Sequence, residues 1–181
     1  HIRQANVGDV CVENTHPFVR ELWGEYWSFA HNGQLSNSEN LPVGKDIPVG
    51  TTDSERAFCW LLERLRETFD ECPGDEVVSK FIFDCCEELR AMGVFNILLS
   101  NGRVLMAYCT TQLHWLTRQA PFGEAQLTDA DFHIDFAGET TNKDVVTVVA
   151  TQPLTGNEAW QALKTGEMLV FVDGHIQRRY S

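Results

Sequence analysis

Trp27-Ser28-Phe29-Ala30-His31-Asn32-Gly33-Gln34 is the stretch on which the reading of this chain turns. Tyr26 to Ala30 is aromatic-rich and reads as a strand, because bulky flat side chains suit a pleated, half-buried surface. The run is expected to end at His31-Asn32-Gly33. An Asn-Gly pair there has two readings. One is a tight turn, since both residues tolerate positive φ. The other is a pair of donors, the Asn32 side-chain amide and the Gly33 N–H, with no Cβ at Gly33 to keep a reacting carbonyl away. Such a pair would form an oxyanion hole and hold the charge of a tetrahedral intermediate. Residues 34–50 weigh against the turn. They are rich in Ser, Asn and Gly and contain Pro42 and Pro48, so they read as a loop with no pairing strand close behind the Asn-Gly.

Beyond that loop, Thr52-Asp53-Ser54-Glu55 fits a capping box, with Thr52 as N-cap and Glu55 reaching back to it. Ala57, Phe58, Leu61, Leu62 and Leu65 follow at helical spacing, and the helix is expected to stop near Cys72-Pro73-Gly74. A second helix is expected from about Glu76 to Met92, burying Val78, Phe81, Ile82, Cys85 and Leu89, with Gly93 as its C-terminal cap. The period then changes to that of strands. Val94 to Ser100 and Val104 to Thr110 flank Asn101-Gly102, a strong hairpin signal. Leu113 to Arg118 reads as a further strand, Pro121 to Phe136 as a loop with short extended pieces, and Val145 to Gln152 as a buried strand. Met168 to Val172 and His175 to Tyr180 form a closing hairpin across Asp173-Gly174. Upstream, Val10 and Val12 alternate as in a strand, and Glu13 to Pro17 is a turn in which Pro17 holds His16 extended. Short strands, two helices and then many antiparallel strands predict an α+β layered fold, with residues 1–181 as one domain.

Composition narrows the function. With 43% hydrophobic and 22% charged residues the chain is globular rather than disordered. A net charge of -12 sets nucleic acid aside, because phosphate backbones need a basic face. No run of ~18 apolar residues is long enough for a membrane span. The six cysteines, at 11, 59, 72, 85, 86 and 109, show no zinc spacing. Cys59 and Cys85 fall on apolar helical faces. Reduced, mostly structural thiols and a cytoplasmic setting are therefore expected. The chain opens without Met on what reads as a strand, so a fragment or a processed product is expected.

Four further residues carry chemistry. Arg3 is either an edge-strand charge or a guanidinium fork that grips a carboxylate. Asp53 is either a first-turn acid favoured by the helix dipole or a carboxylate that faces an ammonium group. Together they would suit the two ends of an α-amino acid. His16 reads as a hydrogen-bonded structural histidine, and no spacing joins His16, His31 and Asp53 as a metal site. A serine nucleophile lacks its Gly-x-Ser-x-Gly motif.

In order, His1-Ile2-Arg3, Asn14-Thr15-His16-Pro17, His31-Asn32-Gly33 and Thr52-Asp53-Ser54-Glu55 resemble the motifs of class II (N-terminal nucleophile) glutamine amidotransferases. Gly93-Val94-Phe95-Asn96, Arg118-Gln119-Ala120-Pro121-Phe122-Gly123 and Ala150-Thr151-Gln152-Pro153-Leu154-Thr155 are similar to a stand-alone, YafJ-like branch of that family. The resemblance implies an Ntn-hydrolase-type four-layer αββα sandwich and no cofactor. It implies that Arg3 binds the glutamine α-carboxylate and Asp53 its α-ammonium. Asn32 and Gly33 would hold the oxyanion, and His31 and His16 would support the loops around them. The substrate implied is glutamine or a γ-glutamyl small molecule, with an ammonia-accepting partner or plain hydrolysis to follow. Where the family commonly reads Arg-Trp-Ala-Thr-His-Gly, this chain has Arg3-Gln4-Ala5-Asn6-Val7-Gly8, which changes the contacts of the Trp, Thr and His. The family's nucleophile is an N-terminal cysteine; here it would lie upstream of His1, and the chain alone would be inactive. The alternative is a non-catalytic amino-acid-binding domain that keeps the pocket without the nucleophile, and a purely structural domain is the third reading.

Overall fold

A computed structural model describes residues 11–120, 122, 124–128, 133–135, 141 and 143–181. Arg3 and the rest of the first motif lie outside them. Strands β1 (Phe18–Leu22) and β2 (Glu25–Leu35) come first, then helices α1 (Asp53–Thr68) and α2 (Asp75–Arg90). Strands β3 (Gly93–Ser100), β4 (Leu105–Cys109), β5 (His114–Gln119), β6 (Glu124–Gln126), β7 (His133–Asp135), β8 (Val145–Ala150), β9 (Gln161–Ala162), β10 (Glu167–Val172) and β11 (His175–Tyr180) complete the order. An antiparallel six-stranded sheet runs β1-β2-β3-β4-β10-β11; a three-stranded sheet runs β8-β5-β9; β6 and β7 form a separate pair.

The two helices cover one face of the large sheet. Phe58 of α1 stacks on Phe29 of β2 with ring centroids 5.1 Å apart. Phe83 of α2 meets Tyr108 of β4 edge-on at 6.2 Å and stacks on Tyr180 of β11 at 5.4 Å. The other face of β4 and β10, through Ala107, Cys109, Leu169 and Phe171, packs on Leu113, Trp115 and Leu163. Helix layer, large sheet and small sheet are thus three of the four layers expected of an αββα sandwich. Each sheet face buries its alternate side chains because strand side chains alternate in direction.

Several local expectations are corrected. Trp23 and Gly24, both at positive φ (58° and 80°), make a tight turn just ahead of the aromatic run and join β1 to β2 as a hairpin. The second strand does not end at His31-Asn32-Gly33 but runs on to Leu35, paired with β3 as Asn32↔Asn96 and Gly33↔Phe95. The turn reading of Asn32-Gly33 is therefore wrong: the partner strand arrives only after two helices. Val12 sits in a single 3-10 turn (Val12–Asn14) rather than a strand. Helix α1 stops at Thr68, ahead of Cys72. Gly93 opens β3 instead of capping α2. Strand β8 is half-buried rather than buried, because it lies at one side of the small sheet.

The capping box holds by half. The Thr52 hydroxyl accepts from Glu55 N at 3.2 Å, as expected. The Glu55 carboxylate goes elsewhere: it accepts from Gly50 N at 2.7 Å and pairs with Arg20 at 2.5 Å. Its side chain is 2% exposed and that of Arg20 22%. Removing one partner of a buried pair leaves the other charge without compensation. Arg20→Met is therefore expected to destabilise the fold by about 2–3 kcal/mol, below the full buried-pair figure because Arg20 is partly in water. Urea unfolding measures this, and an unchanged midpoint would contradict it.

Candidate functional site

Strand β1 pairs with β2 only as far as Phe18↔Phe29, so residues 30–35 extend beyond it. The N-terminus of α1 lies against that extension. Asp53 Oδ2 accepts from Leu35 N at 2.7 Å, and its Oδ1 accepts from Ser54 N at 2.9 Å and Ser54 Oγ at 3.3 Å. An ionised carboxylate offers about four acceptor positions, so one lone pair remains for a further donor. As a first-turn acid Asp53 also sits well in the helix field.

His31 is buried and joins three elements. Its Nε2 lies 3.0 Å from the Val94 carbonyl of β3, and its Nδ1 lies 2.9 Å from Ser54 Oγ of α1. A carbonyl can only accept, so Nε2 carries a proton. The ring packs on Phe95 at 5.0 Å. A Cβ on Gly33 would come within 2.8 Å of His31 Nε2, so the imidazole lies directly beneath Gly33. His31 thus ties β2 to β3 and to the first turn of α1.

The Asn14-Thr15-His16-Pro17 motif closes the same corner. Asn14 Oδ1 accepts from Thr51 N at 2.9 Å and Asn14 Nδ2 donates to Thr51 Oγ1 at 3.3 Å, which anchors the residue before the cap. His16 is buried ahead of a cis Pro17 and packs on Phe18 at 4.6 Å. Three of the four sequence motifs thus meet around one end of β2, and the fourth, with Arg3, lies outside the described residues. The Asn32 and Gly33 positions are exposed at this end. Among the described residues no cluster of His, Cys, Asp and Glu could hold a metal.

The sequence reading missed two residues at this corner. Ser54 was only a letter in the capping box, yet it links His31 to Asp53. Asn96 was part of a quoted motif without a role, yet it is buried beside Asn32. A polar residue inside the apolar run Val94 to Leu99 was the available signal, since buried amides must find partners.

The thiols have other characters. Burial pushes Cys59 up to about 11 and Cys85 up to about 12, and raises Cys72, Cys86 and Cys109 as well. Such thiols stay protonated near neutral pH and are poor nucleophiles. Cys11 is exposed.

A layered α+β fold with a polar corner built from motifs 14–17, 31–33 and 52–55 has known counterparts. The family model of class-II glutamine amidotransferases matches residues 1–181. YafJ of Escherichia coli (strain K12) is 58% identical over 175 residues, covering 96% of this chain and 69% of its own length. A Haemophilus influenzae (strain KW20 / Rd) relative is 43% identical over 174 residues, and this chain spans only 59% of its length. The crystal structure of a predicted glutamine amidotransferase from Pseudomonas aeruginosa PA01 superposes with a TM-score of 0.88 at 51% identity, covering 98% of this chain and 70% of that one. The chain belongs to the class II glutamine amidotransferase family, and its fold is of the Ntn-hydrolase type.

Proposed function

We propose that the whole protein hydrolyses the γ-amide of glutamine or of a γ-glutamyl compound, with a cysteine thiolate at its mature N-terminus as nucleophile. The carrying observation is the hydrogen-bonded corner in which the end of β2, His31, Ser54 and Asp53 are tied together. The thiolate attacks the amide carbon, a C–S bond forms, and the carbonyl oxygen takes the negative charge. Asn32 Nδ2 and Gly33 N–H donate to that oxygen. The C–N bond breaks as the leaving nitrogen takes a proton and departs as ammonia or an amine. Water then attacks the thioester and releases glutamate. Arg3 holds the substrate α-carboxylate, and the remaining lone pair of Asp53 receives the α-ammonium. Burial holds the thiols of Cys59, Cys85, Cys86 and Cys109 protonated, so none of these four suits the attack. No cofactor enters this scheme, and residues 1–181 are expected to be inactive alone. The ammonia goes to water or to an acceptor partner. A cytoplasmic setting is part of the same proposal; no described helix is long and apolar enough to cross a membrane.

The test is ammonia and glutamate release by the whole protein from glutamine and γ-glutamyl amides, comparing wild type with Asp53→Asn. Losing a charge-assisted bond of ~1.5–3 kcal/mol is expected to raise KM about ten- to a hundredfold. The fold should lose less, because Thr52 still caps α1. Equal losses of binding and stability would favour a pure capping role for Asp53. Binding of the amino acid without any turnover would favour the non-catalytic reading.

A further inference from the structure

Asn96 has every hydrogen-bonding position of its amide engaged. Its Oδ1 accepts from Thr110 N at 2.9 Å and Thr111 N at 3.0 Å, with longer contacts to Gln112 N and Thr110 Oγ1. Its Nδ2 donates to Thr111 Oγ1 at 2.9 Å and to the Asn32 carbonyl at 3.0 Å. The oxygen side does structural work, holding the turn after β4. The nitrogen side does something else, because the Asn32 carbonyl belongs to the same rigid peptide unit as the Gly33 N–H. In a trans peptide these two groups point in opposite directions. The only cis peptide bond among the described residues is His16-Pro17. Holding the Asn32 oxygen against β3 therefore turns the Gly33 N–H away from β3, toward the open edge of β2. Two neighbours agree: Leu35 N turns to that edge and bonds Asp53, while Ser36 N bonds Met92 O. Phe95 N, opposite Gly33, bonds Thr110 Oγ1 on the other side. A donor on a peptide oxygen also polarises the N–H of that peptide.

We infer that Asn96, oriented by Thr111, is a positioning residue that sets the plane of the Asn32–Gly33 peptide and so aims the Gly33 N–H at the substrate oxygen. The catalytic part rests on the proposed function; the geometric part does not. Asn96→Asp separates the two ends of the side chain. The carboxylate still accepts from Thr110 N and Thr111 N, but it cannot donate to the Asn32 oxygen and repels it.

The sequence contains two Asn-Gly pairs, 32–33 and 101–102. Carbonyl-13C asparagine with 15N glycine in the whole protein gives one carbonyl–amide correlation peak per Asn-Gly pair, and those of 32–33 and 101–102 are assigned by their loss in Asn32→Ala and Gly102→Asn. In Asn96→Asp the Gly33 peak should move and the Gly102 peak should stay. Steady-state kinetics should show kcat lowered about ten- to a hundredfold, the scale of a small misplacement of reacting groups, with KM nearly unchanged. Thr111→Val should shift both readouts the same way by less, and it carries the test if Asn96→Asp does not fold. An unmoved Gly33 peak overturns the inference whatever the activity. So does unchanged kcat beside a moved peak. If the wild type turns over no γ-amide, the proposed function fails, and the Gly33 peak still decides whether Asn96 sets the plane.

Discussion

In the whole protein, Asn32→Ala is expected to lower kcat about 10²–10³-fold, equivalent to ~2.7–4 kcal/mol of transition-state stabilisation, with almost no loss of thermal stability. The separation of the two effects follows from where the atoms of Asn32 go. Its side chain is exposed, so truncation gives up little buried surface. Its structural duties fall to the backbone: the carbonyl accepts from Asn96 and the residue pairs with Asn96 in the β2–β3 ladder. Alanine keeps both. What it removes is the amide donor proposed to face the substrate oxygen. Such a donor matters most when charge has developed, so KM should change much less than kcat. Turnover assays and a melting curve on the same sample check this. Wild-type turnover in the mutant would remove Asn32 from the oxyanion hole.

Gly33→Ala is expected to have the largest effect on folding. A Cβ at Gly33 would lie 1.9 Å from the Val94 carbonyl oxygen and 2.8 Å from His31 Nε2. The first of these is backbone in a paired strand and cannot swing aside. Gly33 also has φ of 156°, where a side chain is strained even in open space. Overpacking and backbone strain each cost roughly 1–3 kcal/mol, so about 3 kcal/mol or more is expected against a total of only ~5–15. Gly24→Ala is the matched control, because a Cβ there meets nothing within 4 Å despite φ of 80°. Urea titrations of both variants should place Gly33→Ala well below Gly24→Ala. Equal midpoints would mean that β2 and β3 can part at Gly33 without cost.

Much of the architecture could be read locally. Thr52 caps α1, and the α1 and α2 stripes bury the residues expected of them except Phe81, which is only half-buried. Asp173-Gly174 closes its hairpin, with both residues at positive φ. The Trp23-Gly24 turn escaped notice because tryptophan is a rare occupant of such a position. Glu55 was assigned to its own helix cap because only neighbours in sequence are visible there; its partner Arg20 lies across the packed layers. That motifs 14–17, 31–33 and 52–55 belong together was legible from their order. Ser54 and Asn96 were not, because their importance lies in which distant atoms they meet.

By itself the sequence determined what depends on a few adjacent residues: caps, helical stripes, glycine-bearing turns, and the order of the four motifs that carry the family resemblance. Tertiary structure alone decided the character of Asn32-Gly33. The same dipeptide makes a turn when its strand partner follows at once, as at Asn101-Gly102, and lies within a strand when the partner comes from far along the chain. Gly93–Ser100 arrives only after α1 and α2 have packed. Pairing over that separation is set by the burial of Phe29, Phe58 and Phe95 together, a property of the assembled core rather than of any short stretch.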